Sequence, residues 1–196
     1  MSTLEVGTIA PISGSNDVTL GGSSKNIKFA SGTTVDFSTN TPTTTLSSTM
    51  KMVPAFEAKL SGSQAISNST NTKAAFNTEN FDTDSCYDTS NYKFTPNVAG
   101  KYYVYVSLYV DSMVASNFNN GDAVIKKNGS TISNGLHNFS NNPPKGLAIG
   151  ISTILDMNGS SDYVEIFGSV TTINNNGGQF LSGDLSVFGA YKVIGA

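Results

Sequence analysis

Apolar and polar residues alternate along most of the chain after residue 50, and Asn, Gly and Pro interrupt the alternation. A side-chain period of two is typical of β-strands that bury one face. No stretch shows a helical period, and about eight to ten short strands in such a span favour a two-sheet jelly roll or sandwich. The strand-like stretches are residues 53–60, 73–81, 101–110, 122–127, 131–139, 145–157, 163–170 and 179–194, with turn signals at residues 119–121, 128–130, 141–144, 158–160 and 174–178.

The first 49 residues differ from the rest, because nine Ser and eleven Thr make up twenty of them. Apolar pairs nevertheless recur at Val18-x-Leu20, Ile27-x-Phe29 and Val35-x-Phe37, in steps of 9 and 8 residues. Short strands at a nearly fixed interval predict a β-repeat shaft or anchor formed with partner chains. The alternative is a disordered linker, and residues 39–49 fit that description. The segment resembles the N-terminal parts of bacteriophage fibre and other virion appendage proteins.

A spaced signature lies within residues 76–106. It has the form Phe76-x5-Asp82-x4-Tyr87-x6-Phe94-x5-Gly100-x-Tyr102-x-Val104-x-Val106. It resembles the signature of the complement component one, subcomponent q globular-head family, in which aromatic residues usually stand where this chain has Val104 and Val106. Both valines favour a strand. Phe94 and Tyr102 are expected to pack across a strand pair, with Gly100 permitting the turn between them.

A second match lies near the C-terminus, where residues 179–188 contain Phe180, Gly183 and Leu185 in the order of the family's closing Phe-Ser-Gly-x-Leu strand. The resemblance thus covers residues from about 53 to 194. It implies a ten-stranded jelly-roll sandwich related to the tumour necrosis factor fold, assembled as a homotrimer and used for adhesion or recognition. We therefore expect two parts: an N-terminal shaft or anchor over residues 1–49 and a jelly-roll head over residues 50–196.

Charge and composition narrow the classes of partner. The net charge is −3 and charged residues make up 13% of the chain, so no basic field favours nucleic acid. No run of 18 apolar residues predicts membrane insertion, and the first residues lack the pattern of a signal peptide. We expect a chain made in the host cytoplasm.

Candidate chemistry is sparse. Cys86 is the only cysteine, and nothing near it in sequence lowers the pKa of its thiol, so we expect an inert, half-buried side chain. His137 is the only histidine and occupies an ordinary alternating position, which disfavours a catalytic triad. One cysteine and one histidine cannot form a zinc site within the chain. The acidic residues Glu79, Asp82, Asp84 and Asp88 could bind calcium, but their spacing favours a solvated loop, and we expect no cofactor.

These observations predict a non-enzymatic, trimeric structural protein of a phage virion, such as a tail fibre, spike or decoration protein. The alternatives are a free-standing module that binds a surface glycan or protein and, more remotely, a polysaccharide-degrading spike. The expected partners are two further copies of the chain, other virion proteins and a host surface glycan or protein. The trimer is predicted from an apolar sheet carrying Tyr103, Tyr105, Tyr109, Phe188 and Tyr191, and the candidate ligand loops from Asn119, Asn120, Asn141, Asn142, Asn175 and Asn176.

Overall fold

The computed structural model describes residues 52–193, so the predicted shaft or anchor of residues 1–49 lies outside the described residues. Within them the chain is built from strands, and its one short 3-10 turn is far from long and apolar enough to cross a membrane. The strands are β1 (Ala55–Lys59), β2 (Gln64–Ile66), β3 (Thr72–Lys73), β4 (Thr78–Asp82), β5 (Tyr87–Asp88), β6 (Lys93–Phe94), β7 (Gly100–Asp111), β8 (Phe118–Lys127), β9 (Ser130–Asn138), β10 (Gly146–Met157), β11 (Val164–Thr172), β12 (Gly178–Phe180) and β13 (Val187–Lys192), and the turn is Gly183–Leu185.

All strand pairs are antiparallel and form two sheets. In the first sheet, β7 lies between β10 on one edge and β12 and β13 on the other. Strands β2 and β1 pair with β12 and β13, and β4 pairs with β1. In the second sheet, β9, β8 and β11 follow one another, β3 and β6 share the far edge of β11, and β5 pairs with β6. The all-β jelly-roll sandwich is confirmed.

The strands differ from the predicted stretches where turns break them. Residues 73–81 were expected as one strand but divide into β3 and β4, and the last expected strand divides into β12 and β13 around the 3-10 turn. Strands of two or three residues, such as β5 and β6, were not predicted because so few residues carry no periodic signal. Residues 52–193 therefore form thirteen strand segments, because turns divide some of the longer strands that were expected.

Strand β7 alternates between the core and the opposite face. Tyr102, Val104 and Val106 point inward and are at most 3% exposed. The two valines therefore occupy core positions where the globular-head signature has aromatic residues. The other apolar positions of the signature are also buried: Phe76, Tyr87 and Phe94.

The polar members of the signature shape the backbone. Asp82 lies at the end of β4, where its carboxylate accepts the backbone N–H of Tyr87 at 2.8 Å and that of Asp84 at 3.3 Å. Gly100 begins β7 with φ of 147°, a conformation that favours glycine. The aspartate and the glycine thus set the path of the loops that bring the aromatic residues into the core.

An aromatic cluster joins the two sheets. The ring of Phe56 stacks on Tyr87 and Phe94 with centroids 4.5 and 4.6 Å apart, and it meets Phe188 edge-on at 4.9 Å. Phe94 in turn meets Tyr102 at 5.6 Å, as expected from the sequence. Such ring pairs add stabilisation beyond their buried area. The cluster therefore concentrates much of the packing energy near β1, β5 and β6.

The C-terminal motif is split between core and surface. Phe180 and Phe188 are fully buried, whereas Leu185 is 50% exposed. Phe188, which was expected in the apolar sheet, lies on its inward side. Leu185 was expected in the core, and the structure contradicts that expectation. The physical reason is the 3-10 turn that begins at Gly183, whose φ is 72°, because this turn interrupts the two-residue alternation.

The hairpin between β8 and β9 turns at Asn128 and Gly129, whose φ values are 50° and 80°. Positive φ at both central residues is typical of a type I′ turn, for which Asn-Gly is the preferred pair. The Asn128 side chain is held at both ends: its Oδ1 accepts the Tyr163 N–H at 2.9 Å and its Nδ2 donates to Asp162 at 2.8 Å. These bonds tie the hairpin to the loop before β11.

Cys86 packs against the core just before β5 and is 6% exposed. Burial raises the pKa of its thiol, and the carboxylates of Asp82 and Asp84 raise it further. The side chain is more buried than expected, and its thiol stays protonated at neutral pH.

We expect Phe56→Ala to lower the free energy of unfolding by about 3–5 kcal/mol, because it removes the ring at the centre of the aromatic cluster. Urea unfolding followed by tyrosine fluorescence measures the change. Leu185→Ala removes an exposed apolar side chain and should cost about 0.5 kcal/mol or less. Equal losses for the two variants would contradict the placement of Phe56 at the centre of the core.

We expect Cys86 in the folded protein to react with a disulfide reagent far more slowly than the same residue in urea. The raised pKa leaves little thiolate at neutral pH, and the reaction should accelerate as alkaline pH increases the thiolate fraction. Absorbance of the released thiol measures both rates. A folded protein that reacts as fast as the unfolded chain at pH 7 would show that the thiol is not buried.

Candidate functional site

The side chains with catalytic chemistry lie apart from one another. His137 is exposed on β9, and Cys86 is buried before β5. Over residues 52–193, no three His, Cys, Asp or Glu side chains form a group that could hold a metal ion, and no pocket is found in that span. The features that stand out are four surfaces.

Three of the four acidic residues considered for calcium accept hydrogen bonds from their own loops, and the fourth, Glu79, is exposed on β4. The carboxylate of Asp84 accepts the Thr83 hydroxyl at 2.7 Å. Asp88 accepts the backbone N–H groups of Ser90 and Asn91 and the Asn91 side-chain amide, and these bonds hold the pKa of Asp88 below its usual value. Asp82 binds backbone N–H groups in the same region. These hydrogen bonds show that the three aspartate carboxylates stabilise the loops in which they lie.

Four loops meet at one end of the sandwich, and we call this region the loop end: residues 67–71, 112–117, 139–145 and 173–177. Hydrogen bonds connect the loops. Asn117 and Asn174 exchange two bonds of 3.0 and 3.1 Å, and the Asn68 amide donates to Asn175 at 3.1 Å. The Ser112 hydroxyl donates to the Lys145 carbonyl at 2.6 Å. The loop end is therefore a preformed surface rather than four independent loops.

The predicted ligand residues fall into two groups. The exposed ones lie at the loop end: Asn141, Asn142, Asn175 and Asn176. Asn119 and Asn120 were expected in a loop but lie within β8 and are half-buried, so that expectation of a loop is wrong. The reason is that β8 pairs with β11 and β9 on both edges, which draws the Asn-Asn-Gly segment into the sheet.

Three apolar side chains project from the loop end without having been predicted. Met113, Val114 and Ile173 are 45%, 52% and 57% exposed. Met113 also has a φ of 64°, an uncommon conformation for a residue other than Gly or Asn. The sequence signal for this tip is weak, because isolated apolar residues in Asn- and Ser-rich loops show no periodicity.

The outward face of the first sheet carries four half-buried tyrosines, which we call the tyrosine face: Tyr103, Tyr105, Tyr109 and Tyr191. The Tyr103 ring lies 5.4 Å from Tyr191 and 6.1 Å from Tyr105. Tyr105 covers Gly189, where an added side chain would collide with the ring, and its hydroxyl donates to Glu57 at 2.7 Å. Burial raises the pKa of Tyr105, so its hydroxyl remains a donor. The centre of the face is aromatic, and its charged groups are paired: Glu57 accepts the Tyr105 hydroxyl, and Lys101 pairs with Asp156.

An open edge lies beside the tyrosine face. Strands β9 and β10 end different sheets on the same side, where Gly135 of β9 rests against Ile149 and Ile151 of β10. Among the described residues, no strand pairs with the outer edge of either one. Ile132 and Leu136 on β9 and Ile154 on β10 are 45–57% exposed. Long, unpaired apolar edges of this kind invite contact with another chain.

The outward face of the second sheet carries the lysine cluster, which consists of Lys73, Lys93 and Lys126. Glu165 lies beneath it with only 7% of its side chain exposed, and it pairs with Lys73 and with Lys93, the latter at 3.5 Å. The ammonium group of Lys126 lies 3.8 Å from the centre of the Phe167 ring. The sequence did not indicate this cluster, because the three lysines lie far apart along the chain. They come together only through the pairing of β3, β6 and β8 with β11.

Comparison with known structures identifies similar jelly-roll domains of the complement 1q and tumour necrosis factor type. The globular domain of zebrafish complement 1qA is 15% identical, with a TM-score of 0.52 over 71% of this chain and 97% of that one. Eiger TNF from S. frugiperda is 12% identical, with a TM-score of 0.52 over 72% and 93%. Murine APRIL is 10% identical, with a TM-score of 0.53 over 71% and 98%.

Comparison with protein-family models finds no match, and comparison with curated proteins finds none either. At sequence identities of 10–15%, the comparison supports a shared fold and does not support a shared function. The head of this chain therefore has the jelly-roll fold shared by complement 1q and tumour necrosis factor domains, as the spaced signature implied.

Proposed function

We propose that this chain is a trimeric, non-enzymatic structural protein of a phage particle, a short fibre, spike or decoration. In this role, residues 1–49 anchor the chain or form a shaft with partner chains, and the jelly-roll head is displayed outward. The chain is made in the host cytoplasm and becomes part of the virion. The particle context comes from the texture of the N-terminal segment, and the trimer comes from the surfaces of the head.

The observation that carries the trimer is the presence of two unlike, unpartnered surfaces on one head. A cyclic trimer needs a heterologous interface, in which one patch of each copy meets a different patch of the next. The tyrosine face supplies broad aromatic area, and the open edge supplies Ile132, Leu136 and unpaired strand backbone. Packing the open edge of one copy on the tyrosine face of the next would cover both.

A free-standing recognition module is the second candidate, and the loop end favours it. Preformed loops lose little conformational entropy on binding, and an apolar tip within a rim of amides is typical of a protein-binding surface.

A polysaccharide-degrading spike is the third candidate. Binding of the isolated chain to whole cells supports the second candidate, and release of reducing sugar from a host polysaccharide supports the third.

We expect light scattering to give about three times the chain mass of 20.5 kDa at micromolar concentration. Ile154→Asp should dissociate the trimer, because three carboxylates would lie unpaired in buried interfaces. Their desolvation should raise the dissociation concentration by roughly a hundredfold or more.

The matched control is Ile173→Asp, because Ile173 at the loop end has the same 57% exposure as Ile154. This variant should remain trimeric. A stable wild-type monomer, or equal dissociation of the two variants, would refute the trimer built through the tyrosine face and the open edge.

We expect residues 50–196 to fold and trimerise without the first 49 residues, but to be lost from particles. Circular dichroism and light scattering test the fold and the assembly, and mass spectrometry of purified particles tests incorporation of the full and shortened chains. Particles that contain both chains equally would contradict the anchoring role of the N-terminal segment. Absence of the full chain from particles would contradict the virion role itself.

A further inference from the structure

The lysine cluster has more hydrogen-bond donors than the protein uses. Each ammonium group carries three N–H donors. Lys73 contacts the Asn91 carbonyl and Glu165, Lys93 contacts Glu165, and Lys126 reaches the Asn71 side chain at 3.4 Å. More than half of the N–H donors therefore have no acceptor among the described residues, and Lys73 and Lys93 keep 28% and 33% of their side chains exposed.

Aromatic rings hold two of these ammonium groups in place. Lys93 lies 4.0 Å from the centre of the Tyr163 ring, and Lys126 lies 3.8 Å from that of Phe167. Cation–π contacts of this kind restrict side chains that are otherwise among the most mobile on a protein surface. A ligand that binds the cluster therefore loses less free energy in ordering the lysines than it would at free lysines.

The neighbouring carboxylates are already engaged. Asp88 is the cross-strand neighbour of Lys93, but its oxygens accept bonds from Ser90 and Asn91. Asp122, further along the same face, accepts the Ser169 hydroxyl at 2.8 Å. Glu165 lies beneath the lysines. The groups of this face that remain able to bind a ligand oxygen are therefore the ammonium groups.

From this geometry we infer that the lysine cluster binds an acidic polysaccharide. Carboxylate, phosphate or sulfate groups of the sugar accept N–H bonds from Lys93 and Lys126, and the exposed edges of Tyr163 and Phe167 pack against its C–H groups. The cluster is a single small patch on a chain of net charge −3, which suits a spaced substituent on a sugar better than the continuous charge of nucleic acid. The inference rests on the proposed role of the head in attachment.

The test measures binding of the full chain to four immobilised polymers at low salt: polygalacturonate, dextran sulfate, neutral dextran and single-stranded DNA. We expect binding to at least one acidic polysaccharide and not to neutral dextran, with affinity falling as salt rises. Polygalacturonate and dextran sulfate distinguish a carboxylate ligand from a sulfate ligand. Equal or tighter binding to DNA through the same lysines would overturn the assignment to a polysaccharide.

The decisive variants are Lys93→Gln and Lys126→Gln. Each should weaken binding roughly fivefold, and the double variant roughly 25-fold, if each ammonium group contributes as much as a favourable surface ion pair. Lys73 is left unchanged because Glu165 depends on it. Lys126→Arg keeps the charge and should retain most of the affinity.

The matched control is Lys59→Gln, which removes the same charge from the first sheet, because the Lys59 side chain has the same 33% exposure as that of Lys93 and pairs with the exposed Asp184. This variant should bind like the wild type. Equal weakening by the control and the double variant, unchanged binding by the double variant, or no binding of the wild type to either acidic polysaccharide would overturn the inference. Light scattering on the same samples shows whether the trimer is intact, so failure of this site is distinguishable from failure of the assembly.

Discussion

Strand β7 is the constraint on which the sandwich depends. Its twelve residues pair with β10 along their full length and with β12 and β13 on the other edge, so both edges of its backbone are satisfied within the sheet. Every second side chain from Tyr102 to Val110 enters the core, so Tyr103, Tyr105 and Tyr109 lie on the outward face. One strand thus determines both the packing of the two sheets and the chemical character of the outer face.

The fold could be predicted from the sequence because the long alternating stretches and the spaced aromatic signature indicate core positions at the same residues. The contact between Tyr102 and Phe94 could be predicted, since their neighbouring strands and their aromatic residue types both indicated a core contact. Leu185 could not be placed, because whether a short segment continues a strand or forms a 3-10 turn depends on the glycine conformation at its start. Asn119 was misplaced for a related reason: pairing on both edges of β8 overrode the local preference of Asn-Asn-Gly for a turn.

The surfaces were harder to predict than the core. A core side chain can be recognised from the periodicity of its own strand. The lysine cluster draws its three members from three strands that all pair with β11, and each member taken singly is an ordinary surface lysine. The tyrosine face was partly foreseen, because a sheet that carries Tyr103, Tyr105, Tyr109 and Tyr191 has more aromatic area than one core can bury. Three of the four surfaces lie on different parts of the head: the tyrosine face on the first sheet, the lysine cluster on the second sheet and the amides at the loop end. The proposed assembly and the proposed ligand binding therefore involve different strands.

The turn at Asn128 and Gly129 has a consequence for chemical ageing. Asn-Gly is the sequence most prone to deamidation, because the small glycine lets its backbone nitrogen attack the preceding amide carbon and close a five-membered imide. That attack requires the asparagine side chain to rotate toward the glycine. Here the bonds to Tyr163 and Asp162 occupy both polar atoms of the amide and hold it toward the neighbouring loop. The residue that forms the hairpin is thus protected from its own reactivity by the fold that it helps to form.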